Sequence, residues 1–277
     1  MIDLLFITGN GKLARFVCAH GVQRVFVDLE VLGKQERQGH LDTVMSGHTW
    51  KQVREVREAI PGGCLLVRIN PWHSGTPDEI ARAVDEGADQ IMLPMVAGPE
   101  PLERAVALAR GKAAILPLVE TAPGLVRIDE IAAVDGIDEV YIGLNDMHLA
   151  LGLSFMFQIL GEGYVDAMAR AIQERGKRFG FGGIGRMEGD MLPGWRVLAE
   201  HVRLGSTSVI LSRSFHQRST NVEELMERLD FPGEVQHLRS YERKLAARPE
   251  NEIEQHRRET RAIIREIAAQ RREVPAG

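Results

Sequence analysis

Short apolar runs alternate along this chain with segments of helical period. Eight runs stand out, each bounded by Gly, Asn, Asp or Pro: Leu4–Thr8, Arg24–Glu30, Cys64–Asn70, Gln90–Val96, Ala113–Glu120, Glu139–Asp146, Gly180–Ile184 and Ser208–Phe215. Most of the segments between them read as capped amphipathic helices. Asp78–Val84 opens with acids and ends ahead of Gly87, and Tyr164–Arg175 stops at Gly176. Pro101–Arg110 places Leu102, Ala105, Val106 and Ala109 at i, i+3, i+4 and i+7. Nearly continuous apolar strands separated by helices predict a parallel sheet covered by helices. Eight such units predict an α/β fold of (β/α)₈ TIM-barrel type. A doubly wound open sheet is the alternative, and no GxGxxG follows the first run to favour a dinucleotide fold.

The pattern changes after about Phe231. Two charged helical segments, Glu234–Ala247 and Glu250–Arg272, flank Arg248-Pro249. The expected organisation is a catalytic barrel over residues 1–232 and a helical C-terminal extension over 233–277. A solvated tail and an arm that packs on a neighbouring subunit through Ile263, Ile264 and Ile267 both fit that extension.

Active sites of barrels form where the strands end. Two runs close on a carboxylate: Ile115-Leu116-Pro117-Leu118-Val119 before Glu120, and Val140-Tyr141-Ile142-Gly143-Leu144-Asn145 before Asp146. A carboxylate at the end of an apolar strand is costly to bury alone, and two separated by one crossover can share a cation. Asp28 and Glu30 share the face of Phe26, and Arg68 and Asn70 end the third run on one face. Asp28, Glu30 and Arg68 can equally form a buried ion cluster that holds the barrel. Arg186 and Arg213 end the seventh and eighth runs, able to take a carboxylate or phosphate or to pair with a neighbouring Glu. Hard oxygen donors of this kind suit Mg²⁺ or Mn²⁺, or another divalent ion; no HxH, HExxH or Cys cluster supports zinc.

Bulk numbers exclude more than they select. With 277 residues, 44% hydrophobic and 26% charged, the chain is of ordinary globular type. A net charge of −5 gives no electrostatic case for nucleic acid or an anionic membrane. Cys18 and Cys64 read as two reduced thiols. No signal peptide or membrane-spanning run is read, so the expected location is cytoplasmic.

The residues from Arg24 to Phe215 resemble the citrate lyase β-subunit/class II 2-oxo-acid aldolase (HpcH) family. The matching segments are Val25–Glu30, Leu66–Pro71, Gly87–Val96 and Val119–Thr121, then Ile128–Ile131, Gly136–Gly143 and Asn145-Asp146. The resemblance implies a barrel that is usually a homo-oligomer, often exchanging C-terminal helices. It implies Mg²⁺ or Mn²⁺ on Glu120 and Asp146. Arg68 would contact the 2-oxo oxygen or carboxylate of substrate, and backbone N–H groups of Gly143, Leu144 and Asn145 would receive the carboxylate. Glu30 is then expected to orient water at the metal. The implied activity is metal-dependent carbon–carbon cleavage or aldol addition on a pyruvate- or oxaloacetate-like 2-oxo acid, through an enolate, with an aldehyde or acyl-CoA as partner. A citrate-lyase, malyl-CoA or citrate-synthase type of reaction with an acyl-CoA is the alternative, and a non-catalytic 2-oxo-acid-binding barrel is a third.

One position departs from the family. Val31 stands where the aldolase branch has a histidine and the citrate lyase branch an acid. Within the polar loop that follows, Lys34 and Arg37 look like the basic residues of citrate-lyase-like members, and His40 is the candidate base, with a metal-bound water as the alternative. His148, close after Asp146, is expected to cap or pack.

Overall fold

The apolar runs pair in chain order into one closed sheet. The computed structural model describes residues 1–33, 47–189 and 191–273. Its strands are β1 (Asp3–Ile7), β2 (Arg24–Asp28), β3 (Cys64–Arg68), β4 (Gln90–Leu93), β5 (Ala114–Val119), β6 (Glu139–Ile142), β7 (Arg178–Ile184) and β8 (Ser208–Leu211). Every neighbouring pair is parallel and β8 returns to β1, so the fold is the (β/α)₈ barrel and not the doubly wound sheet.

The helices among the described residues begin with α1 (Gly11–Ala19), α2 (Trp50–Ala59), α3 (Thr76–Asp85) and α4 (Glu100–Ala109). The next are α5 (Ala122–Val126), α6 (Ile128–Ala132), α7 (Leu144–Ala150), α8 (Gln158–Gly161), α9 (Tyr164–Glu174) and α10 (Gly194–Leu204). Last come α11 (Val222–Arg228), α12 (Phe231–Ala246) and α13 (Glu250–Glu273). Among the described residues no helix is long and apolar enough to cross a membrane.

Strand alternation sorts the barrel interior into three levels. At the N-terminal end Arg24 donates to Glu139 at 2.7 Å and to Asp3 at 2.7 Å, and Ser208 Oγ donates to Glu139 at 2.5 Å. Above this ionic base lies an apolar layer of Leu5, Phe26, Leu66, Met92, Leu116 and Tyr141. Two residues further along their strands Asp28 and Arg68 reach the C-terminal rim, and Glu120 joins them just past the end of β5. The apolar layer offers those rim charges no ionic partner from below.

Three apolar runs continue three or more residues past their strands. β4 ends at Leu93, and Met95 turns left-handed at φ 57°. β8 ends at Leu211, ahead of a turn anchored by buried Phe215. β6 ends at Ile142, and Leu144-Asn145-Asp146 opens α7 instead of extending the strand. Asp146 is therefore a first-turn helix residue, a correction to its expected place at a strand end.

The helices after Phe231 pack on the barrel of the same chain. Phe231 is fully buried, edge-on to Phe6 and Phe215. α13 lies against α8 and α10, with Ile264, Ile267 and Ala268 buried. Asp166 pairs with Arg203 at 3.0 Å and with Arg257 at 3.3 Å, which joins α13 to α9 and α10. So the apolar stripe read in the sequence serves an intramolecular contact in this chain, with Ile264 but not Ile263 at its centre. Ile264→Ala should lower the unfolding free energy by roughly 2–5 kcal/mol, the usual range for a buried aliphatic truncated to Ala. Urea denaturation reads it, and an unchanged midpoint would show that the helix is not docked there.

Candidate active site

The rim charges line a chamber of about 240 Å³ at the C-terminal ends of the strands. Arg68, from the end of β3, is held from below and beside. Its Nε and Nη2 donate to the two carboxylate oxygens of Asp28, each at 2.8 Å, and Nη1 lies 3.4 Å from Glu30. The guanidinium also sits 5.4 Å from the centre of the Phe26 ring. Burial opposes its charge, but Asp28, Glu30 and Glu120 outweigh that and hold it protonated. The ion cluster read as an alternative for Asp28, Glu30 and Arg68 is thus formed, and it fixes Arg68 on the chamber wall.

Glu120 directly follows β5, Asp146 lies in the first turn of α7 after the neighbouring strand β6, and both are buried. Glu120 Oε1 accepts from Met95 N at 3.2 Å. Its pKa is pushed up to about 8 by burial first and by Asp146 second, with Arg68 pulling the other way. A buried carboxylate whose ionisation is opposed by burial and by a second carboxylate beside it is an arrangement a cation relieves.

Gly143 makes this approach feasible. A Cβ there would stand 2.6 Å from Glu120 Oε2 and 2.7 Å from Glu120 Cβ, nearer than real contacts allow. Gly143→Ala should displace the Glu120 side chain and cut turnover at least ~10-fold with both carboxylates still present, the scale expected when a mutation misplaces a reacting group. A variant with wild-type turnover would mean that the Glu120 position does not matter.

The N–H of Gly143 donates to Val119 O at 2.9 Å as part of the β5–β6 ladder. Of the three backbone donors read in the sequence, it is therefore committed to the sheet. Leu144 and Asn145 lie in the first turn of α7, where N–H groups have no intrahelical acceptor. His148 is buried on α7 with Nδ1 against Asn145 O, a packing role as expected, and burial lowers its pKa.

Val31 is exposed just past β2, and its N–H donates to Asn70 Oδ1 at 2.9 Å. It brings no proton-transfer group to the rim. His40, Lys34 and Arg37 lie outside the described residues. Arg186 pairs with Glu234 at 2.9 Å and is thereby used structurally. The Arg213 guanidinium makes no hydrogen bond or ion pair among the described residues and lines the chamber. His48, which no spacing marks in the sequence, accepts the N–H of Asp28 through Nδ1 at 3.1 Å. Tyr141 closes the chamber floor, donating to Gly182 O at 2.7 Å and accepting from Ile210 N at 2.9 Å. These last contacts join residues far apart in the chain, and no local signal could have shown them.

The chain is a closed (β/α)₈ barrel with a carboxylate pair beside a pinned arginine at the C-terminal rim of its strands. Comparison with known proteins goes further. The sequence model of the family described as HpcH/HpaI aldolase/citrate lyase matches residues 48–173. A 4-hydroxy-2-oxovalerate aldolase from Novosphingobium aromaticivorans is 32% identical over 155 residues, 44% of this chain and 56% of that protein. The match thus spans little more than half the length of that relative. Among solved structures, the HpcH/HpaI aldolase from Desulfitobacterium hafniense DCB-2 superposes with a TM-score of 0.62 at 18% identity, over 76% of this chain and 86% of that one. The protein CitE of Mycobacterium tuberculosis, solved in complex with magnesium and acetoacetate, superposes with a TM-score of 0.56 at 18% identity, over 94% of this chain and 97% of that one. At that identity the structures speak for the fold alone. The resemblance carried by the sequence motifs is borne out over that stretch: residues 48–173 match the HpcH/HpaI aldolase/citrate lyase model, and the aldolase relative is similar over 155 residues.

Proposed function

We propose that this chain is a divalent-metal-dependent carbon–carbon lyase, or aldolase, acting on a 2-oxo acid. The observation that carries the proposal is the buried Glu120–Asp146 pair facing Arg68 in one chamber. Among the described residues no group of three His, Cys, Asp or Glu could hold a metal. The Glu120–Asp146 pair suits Mg²⁺ or Mn²⁺, which take one or two protein carboxylates and keep several waters. The family description and the aldolase relative support the reaction class, and the magnesium in one structural neighbour supports the ion.

In this reading Glu120 and Asp146 hold the metal. When bound, it supplies Lewis-acid stabilisation for the charge that develops on the 2-oxo oxygen. Arg68, held by two hydrogen bonds from its Nε and Nη2 to Asp28, directs its charge at the same oxygen or at the carboxylate of substrate. The N–H groups of Leu144 and Asn145 receive the substrate carboxylate at the start of α7. Glu30 steadies Arg68 on its second side, and its carboxylate orients water at the rim. His40 is assigned the methyl proton from its chemistry, an imidazole that titrates near neutral pH.

Exchange of deuterium from solvent into the methyl group of pyruvate tests this. The protein with Mg²⁺ or Mn²⁺ should catalyse it, chelation should stop it, and His40→Ala should slow it by ~10²-fold, the low end for a general base. Exchange into acetyl-CoA but not pyruvate would move the assignment to the acyl-CoA reaction. Exchange into neither would leave a binding protein.

A further inference from the structure

A second chamber opens beside the first. It measures about 430 Å³ and lies between the ends of β1 and β8, and the two chambers share the wall formed by Ile7, Ile210, Ser212 and Arg213. The two spaces differ in charge. The first holds Asp28, Glu120 and Asp146. Among the described residues that line the second there is no carboxylate, although the chain has 39 Asp and Glu against 34 Lys and Arg. It has Arg213 and Arg218, with Asn10, Ser219 and Thr220 as neutral donors.

The loop after β8 is shaped to put both arginines there. Gln217 and Arg218 are consecutive non-glycine residues in the left-handed region, at φ 50° and 57°. L-residues adopt that conformation at a cost, so two in a row are held by their surroundings. Their turn brings Arg218 N to Arg213 O at 2.9 Å, folding the loop back on itself. Buried Phe215 and His216 anchor it beneath. Arg213 is half-buried on the shared wall, and its guanidinium has no hydrogen bond or ion pair among the described residues. Burial and the neighbouring Arg218 and Arg68 lower its pKa, with Asp28 opposing. A partly buried guanidinium with no hydrogen bond or ion pair among the described residues is placed to meet an anion in the chamber it lines.

We propose that the β1–β8 chamber is the subsite for the second substrate, and that Arg213 binds an anionic oxygen group, carboxylate or phosphate, at the far end of that substrate. Its near end then lies across the shared wall from Arg68, Glu120 and Asp146, where the new carbon–carbon bond forms or the old one breaks. The proposal rests on the aldolase reading for the word substrate; the anion site itself does not. It also sets this chain apart from an enzyme whose second substrate is small and neutral, since such a partner needs neither the volume nor the charge.

Two measurements on the full chain test it. Succinate and inorganic phosphate are titrated calorimetrically into the wild type, Arg213→Met and Arg213→Lys. At least one anion should bind the wild type, the Met variant should bind it at least ~10-fold more weakly, and the Lys variant should fall between, as loss of a charge-assisted bidentate contact implies. No binding to the wild type, or equal binding to Arg213→Met, overturns the proposal whatever the activity. The second measurement compares aldol addition of pyruvate to propionaldehyde, succinic semialdehyde and glyceraldehyde 3-phosphate. The ratio of kcat/KM for the preferred charged aldehyde over the neutral one should fall at least ~10-fold in Arg213→Met, and which aldehyde is preferred separates carboxylate from phosphate. An unchanged ratio overturns the subsite assignment. Absence of aldol addition and of pyruvate exchange in the wild type, with Arg213-dependent anion binding intact, sinks the aldolase reading and supports the anion site.

Discussion

Glu120→Gln should remove divalent-ion binding and lower turnover by at least ~10³-fold, the loss expected when several kcal/mol of charge stabilisation disappear from the transition state. The same substitution should stabilise the metal-free protein at neutral and higher pH. Burial and Asp146 raise the Glu120 pKa to about 8 from an ordinary 4.5, so the folded state keeps this proton longer than the unfolded one. Its contribution to stability is complete below about pH 4.5 and is lost as pH rises through about 8. A neutral amide cannot ionise, so the decline across that window flattens in Glu120→Gln. Thermal denaturation from pH 5 to 9 in chelator reads the slope, and isothermal titration with Mn²⁺ reads the binding. Equal slopes in the two proteins would show that Glu120 ionises without strain and that the pair is not poised for a cation.

Arg68→Met should damage both fold and function. It leaves Asp28 and Glu30 buried without their shared cation, and breaking a buried pair from one side costs roughly 3–5 kcal/mol. It also removes the charge proposed to face the reacting oxygen, so turnover should fall further than stability explains. Arg68→Lys separates the two effects. A lysine restores the charge but not the two parallel hydrogen bonds to Asp28, so stability should recover partly while turnover stays low. Chemical denaturation and steady-state kinetics on both variants make the comparison. Full activity in Arg68→Lys would mean that a point charge suffices and the fork geometry is incidental.

Much of this was legible in the order of residues. The eight apolar runs identify the eight strands, because strands buried on both faces need near-continuous apolar sequence, as in β2, where all five residues are buried. Asp28 and Arg68 could be placed on the rim because strand alternation carries Arg24, Phe26 and Asp28 up one face of β2. Alternation says nothing of where pairing stops. Leu144-Asn145-Asp146 is as apolar at its start as a strand, and only the turn at Gly143 makes it a helix. The same limit hid the second chamber. Asn10, Arg213 and Ser219 come together through the closure of β8 on β1, a contact between the two ends of the barrel that no local pattern encodes. The C-terminal helices were legible as helices but not in their docking, since Ile264 meets α8 through the gap left by Gly161, some hundred residues earlier in the chain.

The central claim is that Glu120 and Asp146 hold one divalent ion against which a 2-oxo acid lies. A crystal soaked with Mn²⁺ and oxalate, a stable mimic of the pyruvate enolate, tests it through the anomalous signal of manganese. The account predicts one strong anomalous peak contacting both carboxylates, with oxalate between it and Arg68. A peak elsewhere, or oxalate bound with no manganese at Glu120 and Asp146, would contradict it.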